Sequence, residues 1–154
     1  MHSRTLLIVI AAGGSAALLA GAFAFQHLGG LAPCAMCLWQ RWPHAAAVLI
    51  GGLALLLPGR VLPIFGALAA LSTAGIGVYH TGVERGWWAG PDTCTSGPIG
   101  GLTPEELLSQ ILAAPVVRCD EVAWQMLGLS MASWNAVISV GLALIWLAAA
   151  RRRA

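Results

Sequence analysis

Four cysteines are the residues of this chain best suited to chemistry, and they come in two unlike arrangements. Cys34 and Cys37 lie in Pro33-Cys34-Ala35-Met36-Cys37, while Cys94 and Cys119 are far apart along the chain. Bridging across two intervening residues removes almost no chain entropy, and short Cys-X-X-Cys pairs are characteristically redox-active. A bridge between Cys94 and Cys119 would close a long loop and stabilise by roughly 3 kcal/mol in the chain-entropy picture, so an inert structural role would also suit it. A four-cysteine zinc site expects two short spacings, and only one is present. Haem attachment needs a His directly after the second Cys of a Cys-X-X-Cys pair, where this chain has Leu38. Thiol–disulfide chemistry is the reading that remains, with the pairing open because four cysteines allow three connectivities.

The elements that must hold these cysteines follow from composition. The chain has 154 residues, 58% hydrophobic and 9% charged, against about 25% charged in soluble domains, so much of its surface must face lipid. Apolar stretches over about 5–25, 39–57, 61–78 and 134–150 each approach the ~17–25 residues that cross a bilayer as a helix. The expected fold is an all-α, four-transmembrane-helix bundle forming one integral membrane domain over 1–154, with outer loops at about 26–38 and 79–133. Arg4, Arg60, Arg151, Arg152 and Arg153 occupy the termini and the short second connection, where no acid lies. All six acids fall in the other two connections. Positive residues stay inside, so both termini are expected in the cytoplasm and all four cysteines outside, in a compartment where disulfides persist. A cleavable signal peptide ending near Ala20-Gly21-Ala22 competes, but its apolar run is longer than the usual signal core. No basic patch interleaved with aromatics marks a nucleic-acid surface.

If the second helix opens near Cys37, its thiolate sits at the positive end of the helix dipole, with Arg41 one turn later on the same face. Both lower a thiol pKa, although Arg41 would serve equally as an interfacial anchor. Pro43 cannot donate to the carbonyl of Trp39, so the regular helix either starts just before it or has kinked first turns. Electrons leaving such a pair need an acceptor. No Rossmann fingerprint, haem motif or obvious metal cluster is present, which leaves a lipid-soluble quinone at the bundle mouth. Trp39, Trp42, His80, Trp87 and Trp88 are expected around that mouth, the tryptophans also fitting an ordinary aromatic belt. In the second outer loop, Thr103-Pro104-Glu105-Glu106 reads as a capped helix start, with Leu107, Leu108, Ile111 and Leu112 on one side and an end before Pro115. Too short to span, this helix is expected on the membrane surface. A Gly/Pro-containing segment from Thr93 to Gly101 would link Cys94 to it flexibly, unless the loop packs compactly over the bundle.

Pro33-Cys34-Ala35-Met36-Cys37-Leu38-Trp39-Gln40-Arg41 resembles the signature of the bacterial disulfide bond formation protein B (DsbB) family. The likeness extends to Tyr79-His80-Thr81, Cys119-Asp120-Glu121, Trp124, Leu127-Gly128-Leu129 and Trp134-Asn135, essentially the whole chain. It implies an inner-membrane oxidoreductase in which Cys34 and Cys37 are oxidised by ubiquinone, with menaquinone as the other choice. Cys37 would lie nearest the ring and form a charge-transfer complex, Arg41 would support quinone binding, and His80 would help nearby. Cys94 would form the mixed disulfide with a DsbA-type periplasmic thioredoxin-fold oxidase, and Cys119 would be its partner in the resting loop disulfide before exchanging with Cys34. The energetics agree: DsbA sits near −120 mV, so a glutathione-like poise near −200 mV could not reoxidise it, whereas a respiratory quinone can. Two rivals are a non-enzymatic membrane scaffold or chaperone with structural disulfides, and a vitamin K epoxide reductase-type bundle. In the latter the active Cys-X-X-Cys belongs toward the last span of the core bundle rather than before the second.

Overall fold

The computed structural model describes residues 2–92, 94, 103–113 and 117–152. Most of Thr93–Gly101, together with Pro115 and Arg153, lies outside the described residues. The described residues form five helices and one small hairpin: α1 (His2–His27), α2 (Ala35–Leu56), α3 (Val61–Glu84), α4 (Pro104–Ala113), β1 (Gln125–Met126), β2 (Leu129–Ser130) and α5 (Met131–Arg151). The four long helices each contain one of the expected apolar stretches. α3 runs six residues past the expected Val78, carrying Tyr79, His80 and Glu84 on regular helix. Among the described residues, α1, α3 and α5 are long and apolar enough to cross a membrane. α2 is 22 residues long, but Gln40, Arg41 and His44 dilute the apolar run of its first half.

α1 packs on α2 and α5, and α3 packs on the same two, giving a four-cornered bundle. Small residues let the backbones approach: Ala11, Ala54, Ala67, Ala70, Ala143 and Ala149 surround Ile8, Leu142 and Trp146. Close packing of this kind drives helix association where lipid removes the hydrophobic advantage. Gly66 faces the indole of Trp146 so closely that an added Cβ would sit 2.6 Å from Cδ2. Gly66→Ala is therefore expected to cost about 1–3 kcal/mol through overpacking. A lower unfolding midpoint in detergent would register it, and an unchanged midpoint would contradict this packing.

At one end of the bundle the Arg4 guanidinium donates to the carbonyls of Gly59 (2.9 Å) and Leu57 (3.5 Å), tying α1 to the α2–α3 turn. The arginine-rich end thus lies opposite the cysteine end. α4 forms with the expected capping box: Thr103 N–H donates to Glu106 Oε2 (2.8 Å), and Glu106 N–H donates to Thr103 Oγ1 (3.3 Å). The backbone bond from Thr103 holds the Glu106 carboxyl below its usual range. The hairpin is a feature the sequence reading missed. It turns through Leu127 (φ 52°) and Gly128 (φ 76°), pairs Gln125 with Ser130, and delivers Ser130 as the N-cap of α5. Two adjacent left-handed residues match the tight turn that joins twisted strands.

Candidate active site

Cys34 is the N-cap of α2, extended at φ −75°, and its sulfur accepts from the backbone N–H of Cys37 at 3.2 Å. The helix runs on from Ala35 through Pro43, so Cys37 lies in the first turn, ahead of the apolar stretch that begins near Trp39. Cys34 and Cys37 are free thiols with their sulfurs 2.7 Å apart. The hydrogen bond Cys34 shares with Cys37, followed by burial, pushes the Cys34 thiol far above its ordinary range. The same bond is the main influence that brings Cys37 down to about 7, against opposing burial; Arg41 helps least. Cys34 therefore holds the proton and Cys37 the charge. Alkylation of Cys37 in the reduced protein is expected to rise with pH through about 7 and level off above it. A profile centred in the ordinary free-thiol range near 8.5 would contradict this geometry.

Cys94 and Cys119 form a disulfide, with Cα atoms 5.3 Å apart. The backbone N–H of Cys119 donates to the Cys94 carbonyl at 2.7 Å. Next to it, Arg118 grips Asp120 through Nε (2.9 Å) and Nη2 (2.6 Å), holding that carboxyl below its usual range. The disulfide is 1% and 0% exposed at its two residues. It packs in one buried cluster with Cys34, Met36 and Val83, and Cys37 lies against the same cluster. All four cysteines therefore share one end of the bundle.

His80 joins the two halves. Its Nε2 lies 3.6 Å from Cys34 Sγ and 3.9 Å from Glu84 Oε1, while Nδ1 meets Gln40 Nε2 at 3.0 Å. Glu84, one helical turn after His80, also accepts from the Ser130 hydroxyl. Two sulfurs and an imidazole nitrogen, from Cys34, Cys37 and His80, lie within 4.8 Å of one another.

Beside the thiols a cavity of about 470 Å³ opens between the helices. Its walls include Leu18, Phe25 and Ile138 on the apolar side, and Cys34, Cys37, Arg41, His44, His80 and Glu84 on the polar side. Arg41 lowers the Cys37 thiol only slightly. Its Nη1 donates to Gln26 Oε1 (2.6 Å) and its guanidinium lies 4.9 Å over the Phe23 ring, so α1 orients it. Arg41 Nε and His44 Nδ1 are buried with no partner among the described residues. The aromatics around the cavity differ from those expected. Trp39, Trp42, Trp87 and Trp88 are exposed and do not line it, whereas Trp124 and Trp134 do. Trp88 instead stacks on Tyr79, and its indole N–H donates to the Tyr79 carbonyl (2.9 Å).

Residues 3–149 match the family model for disulfide bond formation protein DsbB. The chain belongs to the DsbB family. Disulfide bond formation protein B of Pasteurella multocida (strain Pm70) is 34% identical over 149 residues, covering 90% of this chain and 84% of that protein. Its counterpart in Stutzerimonas stutzeri (strain A1501) is 31% identical over 160 residues, covering 96% and 94%. The protein of the same name in Albidiferax ferrireducens is 30% identical over 145 residues, covering 82% and 79%. No solved structure matches the chain. As a DsbB-family protein with three helices fit to cross a bilayer, this chain is a multi-pass membrane protein of disulfide bond formation. Glu84, Gln26 and Gln40 are site residues to which no role was given from sequence. A signal existed for Glu84, because a carboxylate four residues after His80 shares its helical face. For Gln26 none did, because its contact is made between helices.

Proposed function

We propose that this DsbB-family chain is a quinone-dependent thiol oxidase of the bacterial inner membrane that reoxidises a DsbA-type periplasmic partner. The observation that carries the reading is the single buried cluster in which the Cys94–Cys119 disulfide packs against the Cys34/Cys37 pair, beside a cavity walled by Cys37 and Arg41. In this reading α2 is a fourth membrane crossing, both termini face the cytoplasm, and α4 lies along the outer membrane surface with its apolar side down.

The relay runs through four sulfurs. A partner thiolate attacks Cys94; the Cys94–Cys119 bond breaks, and Cys119 leaves as a thiolate. Cys119 attacks Cys34 in an oxidised Cys34–Cys37 bond, and Cys37 leaves as the better leaving group, with its pKa near 7. The partner's second thiolate then closes its own disulfide and releases Cys94. Cys94 restores the bond to Cys119 by displacing Cys34. The two electrons lost by the partner now reside on Cys34 and Cys37. A bound quinone supplies an acceptor for those two electrons and two protons. The cavity suits it: apolar walls fit a flat ring, and the unpartnered Arg41 Nε is a donor suited to a carbonyl oxygen. Ubiquinone is the favoured acceptor, with menaquinone the alternative.

Steady-state quinone reduction by purified protein, with a reduced thioredoxin-fold partner as donor, tests this assignment. Arg41→Met is expected to raise the KM for quinone about tenfold or more, the worth of a hydrogen bond to a charged group, while the KM for the partner stays unchanged. Equal effects on both constants, or none, would overturn the placement of the quinone.

A further inference from the structure

A buried chain of amides lies behind His80, and its hydrogen bonds can be oriented without ambiguity. Gln40, 7% exposed on α2, places Nε2 3.1 Å from the carbonyl of Met36. A carbonyl only accepts, so this atom must be the NH₂ group. Its second hydrogen points at His80 Nδ1, 3.0 Å away. Gln40 Oε1 is left as acceptor for Asn135 Nδ2 at 2.7 Å, and Asn135 Oδ1 in turn accepts from His44 Nε2 at 2.8 Å. Each amide fixes the next.

We infer that Gln40 is a positioning residue that locks His80 as the Nε2–H tautomer and so makes it a hydrogen-bond donor to Cys34. Nδ1 faces a donor and must carry the lone pair. Nε2 faces acceptors, Cys34 Sγ at 3.6 Å and the Glu84 carboxylate at 3.9 Å, and the ring also donates to the backbone of Cys119. His80 in this state is not a base for Cys34. It stabilises negative charge on that sulfur, together with the Cys37 N–H at 3.2 Å. The inference deepens the proposed relay and rests on it for its consequence. When Cys94 attacks Cys119 in a Cys34–Cys119 bond, the electron pair of the breaking bond leaves on Cys34, where both donors wait.

The test uses the full-length protein in detergent, with ¹⁵N-labelled histidine and long-range ¹H–¹⁵N correlation. His80, assigned by its loss in His80→Asn, is expected neutral, protonated at Nε2 and bare at Nδ1. Gln40→Met, close in volume but without donors, is expected to abolish that pattern at His80 and spare it at His44. In a Cys37→Ser background, Gln40→Met should also slow Cys34 alkylation about tenfold at a fixed pH below its midpoint, by moving the midpoint upward. Wild-type His80 carrying its proton on Nδ1 overturns the inference even if Gln40→Met fails to fold, and so do superimposable Cys34 alkylation profiles. Failure of the relay reads out separately, as wild-type protein that shows the tautomer but passes no electrons to quinone.

Discussion

Cys37→Ser is expected to eliminate quinone reduction from every thiol donor, by on the order of 10³-fold or more, as when one member of an interdependent catalytic unit is removed. Cys37 carries the charge of the inner pair because Cys34 donates to it. It also reaches the cavity wall from the first turn of α2. A serine hydroxyl there keeps the volume but can neither form a disulfide nor give up electrons. The loss should be equally complete with a reduced protein partner and with dithiothreitol. Residual turnover above a tenth of wild type with either donor would remove Cys37 from the path.

Cys94→Ser is expected to separate those two donors. With the protein partner, turnover should again fall to background, because the Cys94–Cys119 disulfide that the partner's thiolate attacks is gone. With dithiothreitol, a donor small enough to reach Cys34 and Cys37 directly, most of the activity should persist. The split depends on the outer disulfide being a conduit rather than a structural clamp. Both its residues are buried and packed against the inner pair, so a clamp whose removal loosened the site would depress both donors alike. Equal losses would therefore favour the structural role that a Cys94–Cys119 bridge could also fill.

The parts of this architecture legible in the sequence are those written in local patterns. Apolar runs foretell the long helices, and Thr103 with Glu106 marks the start of α4. The likeness around Cys34–Arg41 points to a disulfide-forming family, to which the chain belongs. What was not legible depends on contacts between distant segments. Arg41 lowers the Cys37 thiol as its place one turn later leads one to expect, but only as the smallest influence, and its contacts with Gln26 and Phe23 on α1 had no signal in the sequence. Pro43 leaves a helix starting just before it or one with kinked first turns, and the helix begins at Ala35 and runs through Pro43. The hairpin at 125–130 rests on two left-handed residues, one of them Leu127, for which composition offers no warning. Trp39, Trp42, Trp87 and Trp88 are surface residues, as an aromatic belt would have them, and the cavity takes Trp124 and Trp134, which had no such role from sequence. The hydrogen-bonded chain from His80 through Gln40 and Asn135 to His44 joins three helices and has no sequence signature.

The relay itself is tested most directly by counting electrons. Protein purified with its quinone pool defined is mixed anaerobically with reduced thioredoxin-fold partner and ubiquinone. Quinol and partner disulfide are then quantified together over one turnover and over many. One quinol per partner disulfide is expected at every time point, with the wild type active and with Cys94→Ser silent toward the partner. Partner oxidation without matching quinol, or quinol formed at the wild-type rate by Cys94→Ser with the partner as sole donor, would contradict a relay through these four cysteines.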